Sequence, residues 1–95
     1  MPYGRCVIYS FVGDDQEVTE KARAGILPIF KQQPGLLSYG VMVQNGQIVS
    51  MSAWNSENDA KAADEAAKRW MAENMDGKLV NSFFGDYAWL EFAER

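Results

Sequence analysis

The sequence has 95 residues, 47% of them hydrophobic, with three prolines and eight glycines, which suits one compact domain over 1–95 and not a disordered chain or a pair of domains. Thirteen acidic residues against nine basic give a formal net charge of −4, and the absence of any basic run excludes a phosphate-neutralising nucleic-acid surface. Histidine is absent altogether, which removes the commonest general base and every triad built on it.

The opening stretch "MPYGRCVIYSFVGDD" carries an apolar run too short, and too soon interrupted, for a signal sequence or a membrane span. A cytoplasmic protein with no membrane partner is the expectation. Cys6 is the single cysteine; it permits no internal disulfide, agrees with a reducing compartment, and its place in a strand pattern reads as a buried structural thiol. With no histidine and no carboxylate or cysteine cluster, neither a metal nor another cofactor is expected.

The run Arg5 to Gly13 is β-branched and aromatic. Its two alternating sets, Cys6, Ile8 and Val12 against Val7, Tyr9 and Phe11, are both apolar, which predicts a strand covered on both faces. Asp14 and Glu17 stand at capping-box spacing, and Val18, Ala22, Ile26 and Ile29 share one face of a helix running to about Gln32. Pro28 lacks an N–H and crowds the Ala24 carbonyl, so a kink or a tightened last turn is expected.

After "QQPG", Asn45-Gly46 marks a two-residue hairpin, because a type I′ turn needs positive φ at both central residues. With Gln44 opposite Gln47, one face carries Leu37, Tyr39, Val41, Val43, Ile48, Ser50, Ser52 and Trp54. The other carries Leu36, Ser38, Gly40, Met42, Val49, Met51 and Ala53. Ser56 with Asp59 opens a second helix over roughly Glu57 to Met75, stopped by Gly77. Its apolar stripe is Ala60, Ala63, Ala67, Trp70 and Met71, and the acid-first pairs Asp64–Lys68 and Glu65–Arg69 read as its solvated face. The segment after it is expected to turn around Val80 to Phe83 and then form a strand from about Asp86 to Phe92.

The order β-α-β-β-α-β is the ferredoxin-like, α+β arrangement of one antiparallel sheet with both helices on one face. The second sheet face is apolar and uncovered, which predicts a homodimer with the sheets packed face to face.

The pattern "ILPIFKQQPGLLSYGV", the hairpin ending in "SAWNSENDA", and a second helix with a late tryptophan resemble the antibiotic biosynthesis monooxygenase family. The resemblance covers nearly the whole chain and implies a dimeric α/β barrel. It also implies one of several activities: oxidation of polycyclic aromatic compounds without metal or flavin, or heme degradation. Many members have no assigned activity. The heme-degrading pattern uses an Asn on strand one, a Trp on helix two and a later His. Trp70 matches the Trp, but the strand-one position falls near Arg5 or Cys6 and no His exists, so histidine-dependent heme degradation is disfavoured.

What remains is a cofactor-independent monooxygenase-like enzyme acting on an aromatic or enolisable small molecule, or a non-catalytic dimer that binds a small apolar ligand or a protein. An isomerase or decarboxylase on the same barrel is a third reading. Oxygenase chemistry needs donors to steady an oxyanion and a dry pocket with flat walls. The candidate catalytic residues are Trp70, Asn74 and Asn55; the candidate substrate-binding residues are Trp54, Tyr9, Tyr39, Arg5 and Met71. Each has a plainer role beside this one. Both tryptophans and both tyrosines suit the core, Asn55 and Asn74 suit helix ends, Arg5 is a strand-start charge, and Met71 fills space. If functional, the two rings bracket a gap between the alanine-lined helix and the sheet.

Overall fold

A computed structural model describes residues 1–93. Strand β1 (Tyr3–Phe11) sends Arg5, Val7, Tyr9 and Phe11 to one side, where they are buried, and Cys6 and Ile8 to the other, where they are half-covered. Helix α1 (Asp15–Gln32) begins where the Asp14 carboxylate accepts the Glu17 N–H at 3.1 Å. Its buried face is Val18, Ala22, Ile26 and Phe30. Phe30, not Ile29, completes the stripe, because its ring fits between Tyr39 and Trp54. The helix continues through Pro28 and ends on a tightened turn in which the Gln33 N–H donates to the Phe30 carbonyl at 3.1 Å.

Strands β2 (Leu36–Gln44) and β3 (Gln47–Trp54) form the expected hairpin, with Asn45 at φ 52° and Gly46 at φ 76°. The Asp15 carboxylate accepts both turn N–H groups, from Asn45 at 2.9 Å and Gly46 at 3.0 Å, and so ties the hairpin tip to the start of α1. A bulge at the other end sets Leu36 opposite Trp54 and Ser38 opposite Ala53. The extra residue reverses the expected facing there: Leu36 packs on the core and Leu37 is exposed.

Helix α2 (Glu57–Asn74) starts where the Ser56 hydroxyl accepts the Asp59 N–H at 3.2 Å. It buries Ala60, Ala63, Asp64, Ala67 and Met71. Asp64 is thus a correction to the solvated face read from its acid–base pairs. The end of the chain is a second correction. Strand β4 (Gly77–Asp86) follows α2 directly, across the region where a turn was expected, and residues 87–93 hold no strand. Its register against β1 shifts between Ile8 and Tyr9, which face Asn81 and Leu79. The bulge changes which residues alternate, so "KLVNSFFG" has no single period to read.

The four strands lie in the order β2-β3-β1-β4, all neighbours antiparallel. Both helices cover the face carrying Val7, Tyr9 and Ile48. The opposite face leaves Met42, Met51 and Phe83 open, Phe83 at 75% exposure. Tyr87 folds back over Gly4 and its N–H donates to the Pro2 carbonyl at 2.9 Å. Among the described residues no helix is long and apolar enough to cross a membrane.

The helices meet where the Trp70 indole lies across Gly25, close enough that a methyl group there would overlap the ring. Gly25→Ala gains roughly 1 kcal/mol of helix propensity but forces an overpacked contact costing about 1–3 kcal/mol. A net loss of stability is the expected outcome in urea denaturation; a more stable variant would show that the ring is free to move aside.

Candidate functional site

Arg5 falls on the same side of β1 as Val7 and Tyr9, so a period of two carries a guanidinium beneath the helices. It is 2% exposed. Its Nε donates to Asp64 Oδ1 at 2.8 Å, its Nη1 donates to Ser50 Oγ at 2.8 Å, and its Cζ stands 5.2 Å from the centre of the Phe30 ring. Asp64, 6% exposed, has Lys68 Nζ 3.4 Å from its second oxygen. Two buried charges are tolerated here because each meets its opposite and a further polar or aromatic neighbour. The pair joins β1 to α2, and Ser50 brings in β3.

Beside it, the Tyr9 hydroxyl is buried and has no hydrogen-bond partner among the described residues. Burial, then the Asp64 charge, raises its pKa above 10.0, with Arg5 and Lys68 opposing. Tyr39 is likewise raised, by burial first, against Ser50 and Arg5. Both phenols therefore stay protonated at physiological pH and act as donors, not bases.

These groups line an interior cavity of about 20 Å³ with Ala22, Ala67 and Met71, room for about one water. A groove of about 280 Å³ lies between α1 and β2, lined by Ala22, Arg23, Leu27, Tyr39 and Val41. Ala22, Tyr39 and Val41 line both, so the groove and the cavity lie side by side against a common wall.

Of the residues named from sequence, Arg5, Tyr9, Tyr39 and Met71 come together at this cavity. The other four stand elsewhere. Trp54 is 0% exposed, donates from Nε1 to Ser52 Oγ at 2.9 Å and meets Phe30 edge to face at 5.5 Å. Trp70 lies on Gly25 in the seam between helices. Asn74 Nδ2 donates to the Trp70 carbonyl at 3.0 Å, and exposed Asn55 has its backbone N–H on the Gly35 carbonyl at 2.8 Å. The two rings do not bracket one gap, because the core takes one and the helix seam the other. Asp64 and Ser50 went unnamed, although the signals existed: Asp64 lies four residues after Ala60 and three before Ala67, and Ser50 alternates with Ile48 and Trp54. Among the described residues no three His, Cys, Asp or Glu side chains gather to hold a metal.

Breaking the ion pair from either side strands the other charge in the core. Arg5→Met and Asp64→Leu are each expected to cost about 3–5 kcal/mol, and the double variant to recover the larger part. Denaturant unfolding of all three measures this; single losses below about 1 kcal/mol, the range of an exposed pair, would mean that water reaches it.

No protein-family model matches the sequence, and comparison with curated proteins finds no match. Solved structures do match. A protein of unknown function from Nitrosomonas europaea, NE2512, superposes with a TM-score of 0.72 at 11% identity, covering 99% of this chain and 96% of that one. SnoaB, a cofactor-independent oxygenase from Streptomyces nogalater, gives 0.68 at 11% identity over 94% of this chain and 95% of that one. The ActVA-Orf6 monooxygenase of Streptomyces coelicolor, solved with the ligand nanaomycin D, gives 0.68 at 16% identity over 97% and 92%. Other neighbours bear the name of the family that the sequence resembles. The chain therefore shares the α+β fold of the antibiotic biosynthesis monooxygenases.

Proposed function

We propose that the chain is a cofactor-independent, monooxygenase-like enzyme acting on an aromatic or enolisable small molecule, with its site in the cavity and groove between α1 and the sheet. The observation that carries this reading is the Tyr9 hydroxyl, buried beside Arg5 without a partner among the described residues. Such a group costs about 1–3 kcal/mol, and a ligand oxygen in the cavity removes the cost. The fold shared with SnoaB and the ActVA-Orf6 monooxygenase supports the same reading.

The substrate ring enters along Leu27 and Val41, with its phenol or enol oxygen toward Arg5 and Tyr9. Both tyrosines are protonated and the chain has no histidine, so these residues donate to the developing oxyanion and the proton leaves to water in the groove. The carbanion passes one electron to dioxygen, and the radicals combine to a hydroperoxide once the peroxide oxygen is protonated. Loss of water then leaves a ketone, so that a ring methylene and one dioxygen become a carbonyl and one water. In this scheme Tyr39 and Met71 are walls, Trp54 and Trp70 hold the scaffold, and Asn55 and Asn74 do not touch the reacting atoms.

Among the described residues the cavity lining holds no carboxylate or imidazole to accept a proton, which favours a second reading, a non-catalytic binder of small apolar ligands. Oxygen uptake with a dihydroxyanthrone separates the two. Tyr9→Phe removes one hydroxyl and keeps the ring, so turnover is expected to fall at least about tenfold while stability holds or rises by about 1 kcal/mol. Turnover equal to the parent would remove Tyr9 from the mechanism, and no uptake by the parent would leave binding alone.

The homodimer belongs to the same proposal. Met51 and Phe83 flank a hollow of about 250 Å³ on the open sheet face, with Cys6 at its floor, a shape suited to an apolar knob from a second copy. Sedimentation is expected to show a dimer for the parent and a folded monomer for Phe83→Lys; a dimer in both would place the interface elsewhere.

A further inference from the structure

We propose that Arg23 makes the outer groove a carboxylate site, so that the ligand is an aromatic acid bound with its carboxylate at Arg23 and its ring system directed inward. This rests on the reading of the groove as the approach to the cavity, and it adds a substrate class to it.

Among the described residues Arg23 is the one charged side chain lining the groove, beside Ala22, Leu27, Tyr39, Gly40 and Val41. Within the same residues it forms no ion pair, a state it shares with Lys21, Lys31, Arg69 and Lys78, none of which lines the groove. The acid nearest in sequence on its own helix, Glu20, is engaged otherwise: its carboxylate accepts from Gln16 Nε2 at 3.4 Å. The Thr19 hydroxyl, also in the groove, donates to the Asp15 carbonyl at 2.7 Å. Arg23 is therefore left as the cationic donor of an otherwise apolar slot.

A guanidinium meets a carboxylate through two parallel N–H donors, a geometry that an ammonium lacks. The net charge of −4 disfavours a polyanion such as a diphosphate and admits a monoanion. The groove volume, about 280 Å³, stands at the lower end of small-molecule sites and suits a bicyclic ring. Ala22, Tyr39 and Val41 also line the cavity, so on the reading of the groove as its approach an acid held at Arg23 directs its far end toward the side where Arg5 and Tyr9 lie. Arg5 is already neutralised by Asp64, so the carboxylate has reason to stay at the outer arginine.

The test is a backbone-amide NMR titration with 2-naphthoate and its neutral counterpart 2-naphthalenemethanol, following Ala22, Gly40 and Val41. The acid is expected to bind about five- to tenfold more tightly at low salt, the range of one partly exposed charge-assisted contact. That preference should vanish in Arg23→Gln, survive in part in Arg23→Lys, and persist in Lys31→Gln, a control cation at the end of the same helix. Equal affinities in the parent, a preference retained by Arg23→Gln, or no shift at the groove amides with either probe would each overturn the assignment. Oxygen uptake is read separately. A carboxylate preference without turnover of any phenolic acid keeps the subsite and rejects the oxygenase; turnover of neutral phenols without that preference does the reverse.

Discussion

The Arg5–Asp64 ion pair is the contact around which the helical face of this domain is arranged. It links the inner strand β1 to α2, and Ser50 and Phe30 complete the shell of the guanidinium. A short carboxylate on a helix reaches a strand only when the helix lies close, and the buried methyl groups of Ala60, Ala63 and Ala67 permit that approach. The alanine stripe and the ion pair thus depend on each other. Larger residues would lift Asp64 away from Arg5, and without the pair the desolvated charges would drive the helix off the sheet.

The same closeness explains how the aromatic residues are divided. Trp54 meets Phe30 edge to face, and Tyr39 packs tilted against the same ring at 4.4 Å. Trp70 instead uses the missing side chain at Gly25 to bring the helices together. The cavity that remains is small, with Ala67 as its one contact with the alanine stripe among the described residues. It belongs to Arg5, Tyr9, Tyr39 and Ser50, not to the tryptophans.

A cavity whose titratable phenols are held protonated, in a chain without histidine, supplies donors but no side chain suited to proton abstraction. On the proposed reading, chemistry there begins from a substrate that ionises readily and whose anion the site prefers. On that same reading the groove between α1 and β2 selects the molecules that arrive, and the buried pair and Tyr9 set what charge they carry once inside.

Much of this was legible in the residues. The hairpin followed from Asn45-Gly46, the two helix starts from Asp14 and Ser56, and the element order from periodicities of two and 3.6, because capping and turn geometry are local and each residue carries its own preference. Arg5 and Asp64 also lay on buried faces by those periods, although charge suggested solvent. Tertiary structure alone decided the rest. The bulges beside Leu36 and Ile8 changed strand facing, and the free edge of β1 claimed Gly77–Asp86 as a strand whose own pattern is mixed. Which aromatic ring fills the core and which the helix seam depends on distances between elements far apart in the chain, as does the meeting of Arg5 with Asp64 across 59 positions. Local preference selects the elements; only their packing brings charges, rings and cavities together.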